Sequence, residues 1–243
     1  MSAPERLPDE DVLTLADTCL LLGHRLSEWC GHGPILEEDI ALANRALDLI
    51  GQARRLYQLY CARVGGDCTE DRLAYLRDPD AFCNVPLAAL PNGDYAQTML
   101  RAWALALWFG VIWEHLERSN DCEVAVIAAD ALKEARLLAR HAGEWVVRFG
   151  DGTAESRQRL LAARARLAPA IAQLLEWTVT GLSREGLARS LSLARSEVLE
   201  RAELPDPWWP DPAGCAVLDP AQARRALLAE MQSLAREYPE AVW

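Results

Sequence analysis

The sequence predicts an all-α protein, an antiparallel four-helix bundle with three or four auxiliary helices. Long segments carry apolar residues at alternating steps of four and three, the spacing that lines one face of a helix. Glycine, proline and capping residues punctuate the chain between those segments, and no segment shows the alternation of a strand. At 243 residues, half of them apolar, the chain is long enough to bury a sizeable core, and residues 1–243 read as a single domain.

The first helix is expected from about Asp9 to Trp29, where Gly33 and Pro34 in "CGHGP" break it. The second runs from about Leu36 to Val64, with Glu37, Glu38 and Asp39 in the first turn, at the positive end of its dipole. Leu36, Ile40, Ala43, Leu47, Ile50, Tyr57 and Cys61 mark its expected inner face. Leu42, Ala46, Leu49, Ala53 and Leu56 widen the apolar arc to roughly 200°, leaving Asn44, Asp48, Gln52 and Arg55 as a polar strip. A helix covering one core needs an arc of only ~100° or somewhat more, so this helix is expected to be covered on two sides, by extra layers or by a partner chain.

A short helix is expected after Thr69, followed by an irregular stretch with prolines at 79, 86 and 91. A third long helix starts near Asp94, which is placed to cap it, and ends near Arg118. It is apolar on every side from Ala102 to Trp113, which makes it the central helix. Further helices are expected at about Cys122 to Phe149, Glu155 to Trp177 with Pro169 inside, Ser183 to Ala202, and Pro220 to Tyr238. The loop "LPDPWWPDPAGC" precedes the last helix.

The apolar run in the central helix falls short of the ~20 residues that a membrane span needs. The N-terminus carries acids and prolines where a signal peptide would be basic and apolar, so a cytoplasmic protein is expected. The net charge of −11 speaks against nucleic acid or an anionic membrane as partner. Seven cysteines without a C-x-x-C pair read as free thiols in a reducing compartment, with little weight on a structural disulfide or a zinc site.

Carboxylates, histidines and long helices raise the question of a di-iron centre. Such a centre takes a glutamate from each of two helices and Glu-x-x-His from each of two others. The residues three before the four histidines, at 24, 32, 115 and 141, are Leu21, Trp29, Ile112 and Leu138, so the motif is absent. The central helix has no ionisable residue from Ala102 to Trp113. No metal, cofactor or catalytic residue is expected in this chain. Two acids stand out as candidate vestigial ligand positions, Asp48 and Glu134, with satisfaction by arginines such as Arg54 or Arg136 the favoured account.

The stretch "RLSEWCGHGPILEEDIALANRALDLIGQAR" closely resembles the C-subunit family of bacterial phenylacetyl-CoA epoxidases (the PaaC family). So do "EDRLAYLRD", "LPNGDYAQTMLR", "KEARLLARHAGEWVVRFGDGT" and "LLAEMQSLAREYPEAVW". The resemblance covers about Leu13 to Trp243 and is weakest between Glu155 and Asp219. It implies a ferritin-like fold without catalytic iron and a structural role in an NADPH- and O2-dependent epoxidase of phenylacetate breakdown. The implied partner is a homologous catalytic A subunit holding the di-iron centre, with NADPH and flavin/iron-sulfur groups in a separate reductase subunit.

The resemblance also implies a remnant site on the central helix, where this sequence reads Ala106, Leu107, Trp108 and Phe109. Leu138 stands where a histidine is expected, and Pro220 to Ala223 replace a His-Thr-Glu-like segment; Asp48 and Glu134 persist. Residues 36 to 64 and the central helix are expected to face the catalytic subunit, with Trp208 and Trp209 as a second candidate contact. The competing readings are a stand-alone ferritin-like di-iron oxidase and a scaffold of a related acyl-CoA oxygenase.

Overall fold

A computed structural model describes residues 6–204 and 219–238. In chain order the helices are α1 (Asp9–Ser27), α2 (Leu36–Val64), α3 (Pro86–Ala89), α4 (Tyr95–Leu116), α5 (Cys122–Gly150), α6 (Ala154–Gln173), α7 (Arg184–Arg201), α8 (Pro220–Met231) and α9 (Ser233–Glu237). A π turn at Arg72–Leu76 and 3-10 turns at Pro79–Ala81 and Leu174–Glu176 complete the regular structure. No strand occurs among the described residues, and the fold is all-α and ferritin-like. Trp208, Trp209 and Cys215 lie outside the described residues. The chain divides into two compact units, one of Leu7–Pro91 with Asp219–Trp243, the other of Met1–Arg6 with Asn92–Leu218.

In the first unit α1 and α2 form an antiparallel hairpin. Its turn is set by sequence: the Gly31 N–H donates to both oxygens of the Asp39 carboxylate, at 2.9 and 3.1 Å. A Cβ on Gly33 would lie 2.8 Å from the Asp39 backbone, so only glycine lets the loop close onto the start of α2. Asp39 therefore ties the loop down as well as favouring the helix dipole.

The register of α2 corrects the expected one. Leu36, Ile40 and Leu47, expected inside, are 70, 54 and 66% exposed. The buried stripe is Leu42, Ala46, Leu49, Ala53 and Leu56, joined by Tyr57 and by Gln52 from the expected polar strip. Both stripes satisfy the helical period, so periodicity could not choose between them. The closeness of α1 could: a Cβ on Gly23 would meet Ile50 at 2.9 Å and the Ala46 carbonyl at 3.2 Å, and small side chains suit so close an approach.

A second correction concerns the cysteines. Cys61, in the last turn of α2, is bonded to Cys68, their Cα atoms 5.1 Å apart. Gly65 and Gly66, at φ +69° and +67°, reverse the chain between them in a conformation side chains disfavour. The pairing follows from this Gly-Gly turn rather than from a Cys spacing motif. Cys19, Cys30, Cys83 and Cys122 are free thiols.

In the second unit α4 and α5 pack side by side, and α6 and α7 lie against them. The Asp94 carboxylate accepts the Gln97 N–H at 2.9 Å and caps α4 as expected. Asp121, Thr153 and Ser183 cap α5, α6 and α7 in the same way. The α4 helix is buried on nearly every side, with Trp103, Trp108, Phe109, Ile112 and Trp113 in the core. The Phe109 and Trp113 rings stack at 5.8 Å, and Trp108 lies 5.1 Å from both Phe109 and Trp177. The helix containing Pro169 ends at Gln173 and tightens into the 3-10 turn, short of the expected Trp177.

Candidate functional site

The two candidate ligand positions lie in different units. Asp48 is half-buried on α2 and accepts from Arg45 Nη1 at 2.8 Å, not from Arg54, whose Nε donates to Glu70 at 2.8 Å. The Arg45–Asp48 pair, three residues apart on one helix face, accounts for this acid without a metal. Glu134 is half-buried on α5. Arg136, expected as its partner, lies 3.9 Å from Glu114.

The histidines serve elsewhere. His32 is exposed and its Nδ1 lies 3.1 Å from the Cys30 carbonyl, while His115 Nε2 lies 3.1 Å from the Thr180 carbonyl. His24 and His141 are half-buried on α1 and α5. Burial lowers the pKa of His24, and the nearby Glu230 carboxylate opposes that shift. Among the described residues no three of His, Cys, Asp or Glu form a group that could hold a metal ion. On α4 the positions Ala106, Trp108 and Phe109 are buried, and Leu107 is half-exposed. These residues do not fit a carboxylate-bridged pair of irons, which needs anionic oxygen ligands where the chain offers apolar side chains.

The charged cluster that does form escaped sequence reasoning. Asp17, wholly buried on α1, accepts from the Tyr57 hydroxyl at 2.5 Å, the Cys83 N–H at 2.7 Å and the Arg77 guanidinium. The Arg77 guanidinium also stacks over the Phe82 ring, 3.9 Å from its centre. Burial raises the Asp17 pKa, opposed by Arg77 and by the bonds from Tyr57 and Cys83. Burial and the Asp17 charge push the Tyr57 hydroxyl well above 10. Three donors hold the carboxylate, so the cluster clamps α1, α2 and the 77–83 segment together. The signal was present in "LTLADTCLLLG": an acid amid apolar residues on a helix must find partners inside.

The outer face of α2 remains. Leu36, Ile40 and Leu47 share it with Asn44, Gly51 and Gln58, all exposed. Glu37 and Arg54 are charged neighbours at either end of the apolar part. Ile35, just before the helix, is 53% exposed and extends the patch. No helix among the described residues is long and apolar enough to cross a membrane.

A sequence profile described as phenylacetic acid catabolic protein matches residues 8–243. Over 178 residues the chain is 42% identical to the C subunit of 1,2-phenylacetyl-CoA epoxidase from Escherichia coli (strain K12), covering 72% of this chain and 71% of that protein. The chain belongs to the phenylacetic acid catabolic protein family, in which the resemblance read from its sequence placed it.

Proposed function

We propose that this chain is a non-catalytic structural subunit of a multicomponent 1,2-phenylacetyl-CoA epoxidase in aerobic phenylacetate degradation. In this reading it pairs in the cytoplasm with the di-iron catalytic A subunit and supports it, and residues 1–243 act as one ferritin-like domain. The relative's standing as a subunit supports membership in such a complex. The apolar positions of α4 support a role without iron chemistry of its own.

The observation that carries the reading is the outer face of α2. A soluble helix needs one apolar stripe, and α2 has a second, at Leu36, Ile40 and Leu47, that the described chain leaves exposed. Such a stripe is what a subunit presents to a partner. The contact expected on α4 narrows accordingly, because α4 is buried by the chain itself apart from Tyr95 at its start and a half-exposed strip at Leu107, Gly110, Val111, Glu114 and His115.

The test is the solution mass of the chain, alone and co-expressed with an A-type catalytic subunit, by size exclusion with light scattering. A stable complex with both chains in equal amounts is expected. A separate homo-oligomer beside its candidate partner overturns the assignment, and two irons per purified chain would favour the stand-alone oxidase.

A further inference from the structure

We propose that Cys61 and Cys68 form a reversible redox site that exchanges with small peptide thiols carrying both carboxylate and ammonium groups. The proposal goes beyond the subunit reading and does not depend on it. It rests on a geometry confined to the end of α2 and the segment that follows.

The two cysteines are both half-buried, but only one of them opens onto a groove. Cys68 lines an open groove of about 430 Å³ with Asp67, Arg72, Leu73, Leu76 and Arg77, whereas Cys61 is not part of its wall. An incoming sulfur therefore meets Cys68 first, and Cys61 is the resolving partner. The groove offers both charge signs and an apolar strip. Arg77 has its charge matched by Asp17, which leaves exposed Arg72 to attract a carboxylate and exposed Asp67 to attract an ammonium group. Leu73 and half-exposed Leu76 supply the apolar contact. A peptide thiol presents this combination, whereas an uncharged thiol uses only the apolar part.

In the oxidising direction the Cys68 thiolate attacks one sulfur of a small disulfide and expels one small thiolate. The Cys61 thiolate then attacks Cys68 Sγ, closes the protein disulfide and expels the second. The protein loses two electrons and two protons, and the small disulfide leaves as two thiols. In the reducing direction a small thiolate enters the groove and bonds to Cys68 while Cys61 leaves. A second small thiolate then attacks the sulfur of the small thiol in that mixed disulfide, releasing the Cys68 thiolate and one small disulfide.

The experiment uses the full chain, reduced and then exposed to glutathione disulfide or to hydroxyethyl disulfide, with acid quenching, thiol alkylation and peptide mass spectrometry. Both reagents are compared at equal concentration. Expected results are closure of the Cys61–Cys68 bond, its reopening by reduced glutathione, and closure at least about tenfold faster with glutathione disulfide. Arg72→Ala should remove most of that preference. Cys61→Ser should trap a glutathione adduct on Cys68, while Cys68→Ser should modify Cys61 at least about tenfold more slowly. A pair that never closes, or that reduced glutathione cannot reopen, overturns the proposal. Equal rates with the two reagents, or equal trapping at both cysteines, overturn the assigned ligand and order of attack.

Discussion

The two helical hairpins are built alike but finished differently. Each pairs a helix buried on almost every side, α1 or α4, with an amphipathic one, α2 or α5. The outer face of α5 exposes Glu123, Lys133, Arg136, Arg140 and Arg148, with surface pairs such as Lys133–Asp130 and Arg201–Glu144, and its exposed large apolar residues, Val126 and Leu137, stand eleven positions apart. The outer face of α2 is apolar over its first half. The α5 face suits water, whereas the α2 face leaves an apolar stripe exposed, which the proposed partner contact would cover. The buried helices differ in the opposite sense. The α4 stretch from Ala102 to Trp113 is apolar and aromatic, whereas α1 carries Asp17 into the core and depends on Tyr57, Arg77 and Cys83 to satisfy it.

The sharpest way to break this comparison is at Asp17. Asp17→Ala leaves the Arg77 guanidinium without its buried counter-charge, and removing one partner of a buried pair costs roughly 3–5 kcal/mol. Denaturant unfolding of the variant should show a loss of that size, with recovery of part of it when Arg77 is also replaced by Met. A loss under about 1 kcal/mol would mean that the clamp is ornamental.

The next effect is that of the disulfide. Cys61 and Cys68 are seven residues apart, and closing so short a loop stabilises a fold by about 2–3 kcal/mol on chain-entropy grounds. Oxidised chain should unfold at correspondingly higher denaturant than reduced chain, and Cys61→Ser should remove the difference.

The pH effect is smaller and sits on α1. The folded pKa of His24 is lowered, chiefly by burial, from an ordinary value of 6.5. The unfolded chain therefore takes up the proton more readily. The stabilising contribution is fully present above about pH 6.5 and is lost as pH falls through the folded pKa. Unfolding free energies measured from pH 7.5 to 5 should decline in part through this group, and His24→Gln should flatten that part of the profile.

How much of this was legible in sequence depends on which force decided each feature. Helix ends were legible because they are local: Asp94 as a cap and Gly33 and Pro34 as a break act within a turn of themselves. The face of α2 that turns inward was not, because Leu36–Ile40–Leu47 and Leu42–Ala46–Leu49 both satisfy the helical period. Only packing against α1, tightest at Gly23, separates them. The width of the apolar arc was the sounder signal, since it showed that α2 had more apolar surface than one core could use. The disulfide was hidden because a Gly-Gly turn, not a cysteine motif, brings its ends together. The absence of Glu-x-x-His, in contrast, was readable letter by letter.

The smallest effect on the isolated chain should come from the α2 face itself. Ile40→Asp and Leu47→Asp lie on exposed positions and should cost at most about 1 kcal/mol each. The most direct test of the account is the solution mass of this double variant, beside the unaltered chain, when each is co-expressed with an A-type catalytic subunit. The account predicts an equal-proportion complex for the unaltered chain, and a folded but separate double variant. A double variant that still forms the complex would contradict the claim that this face carries the contact.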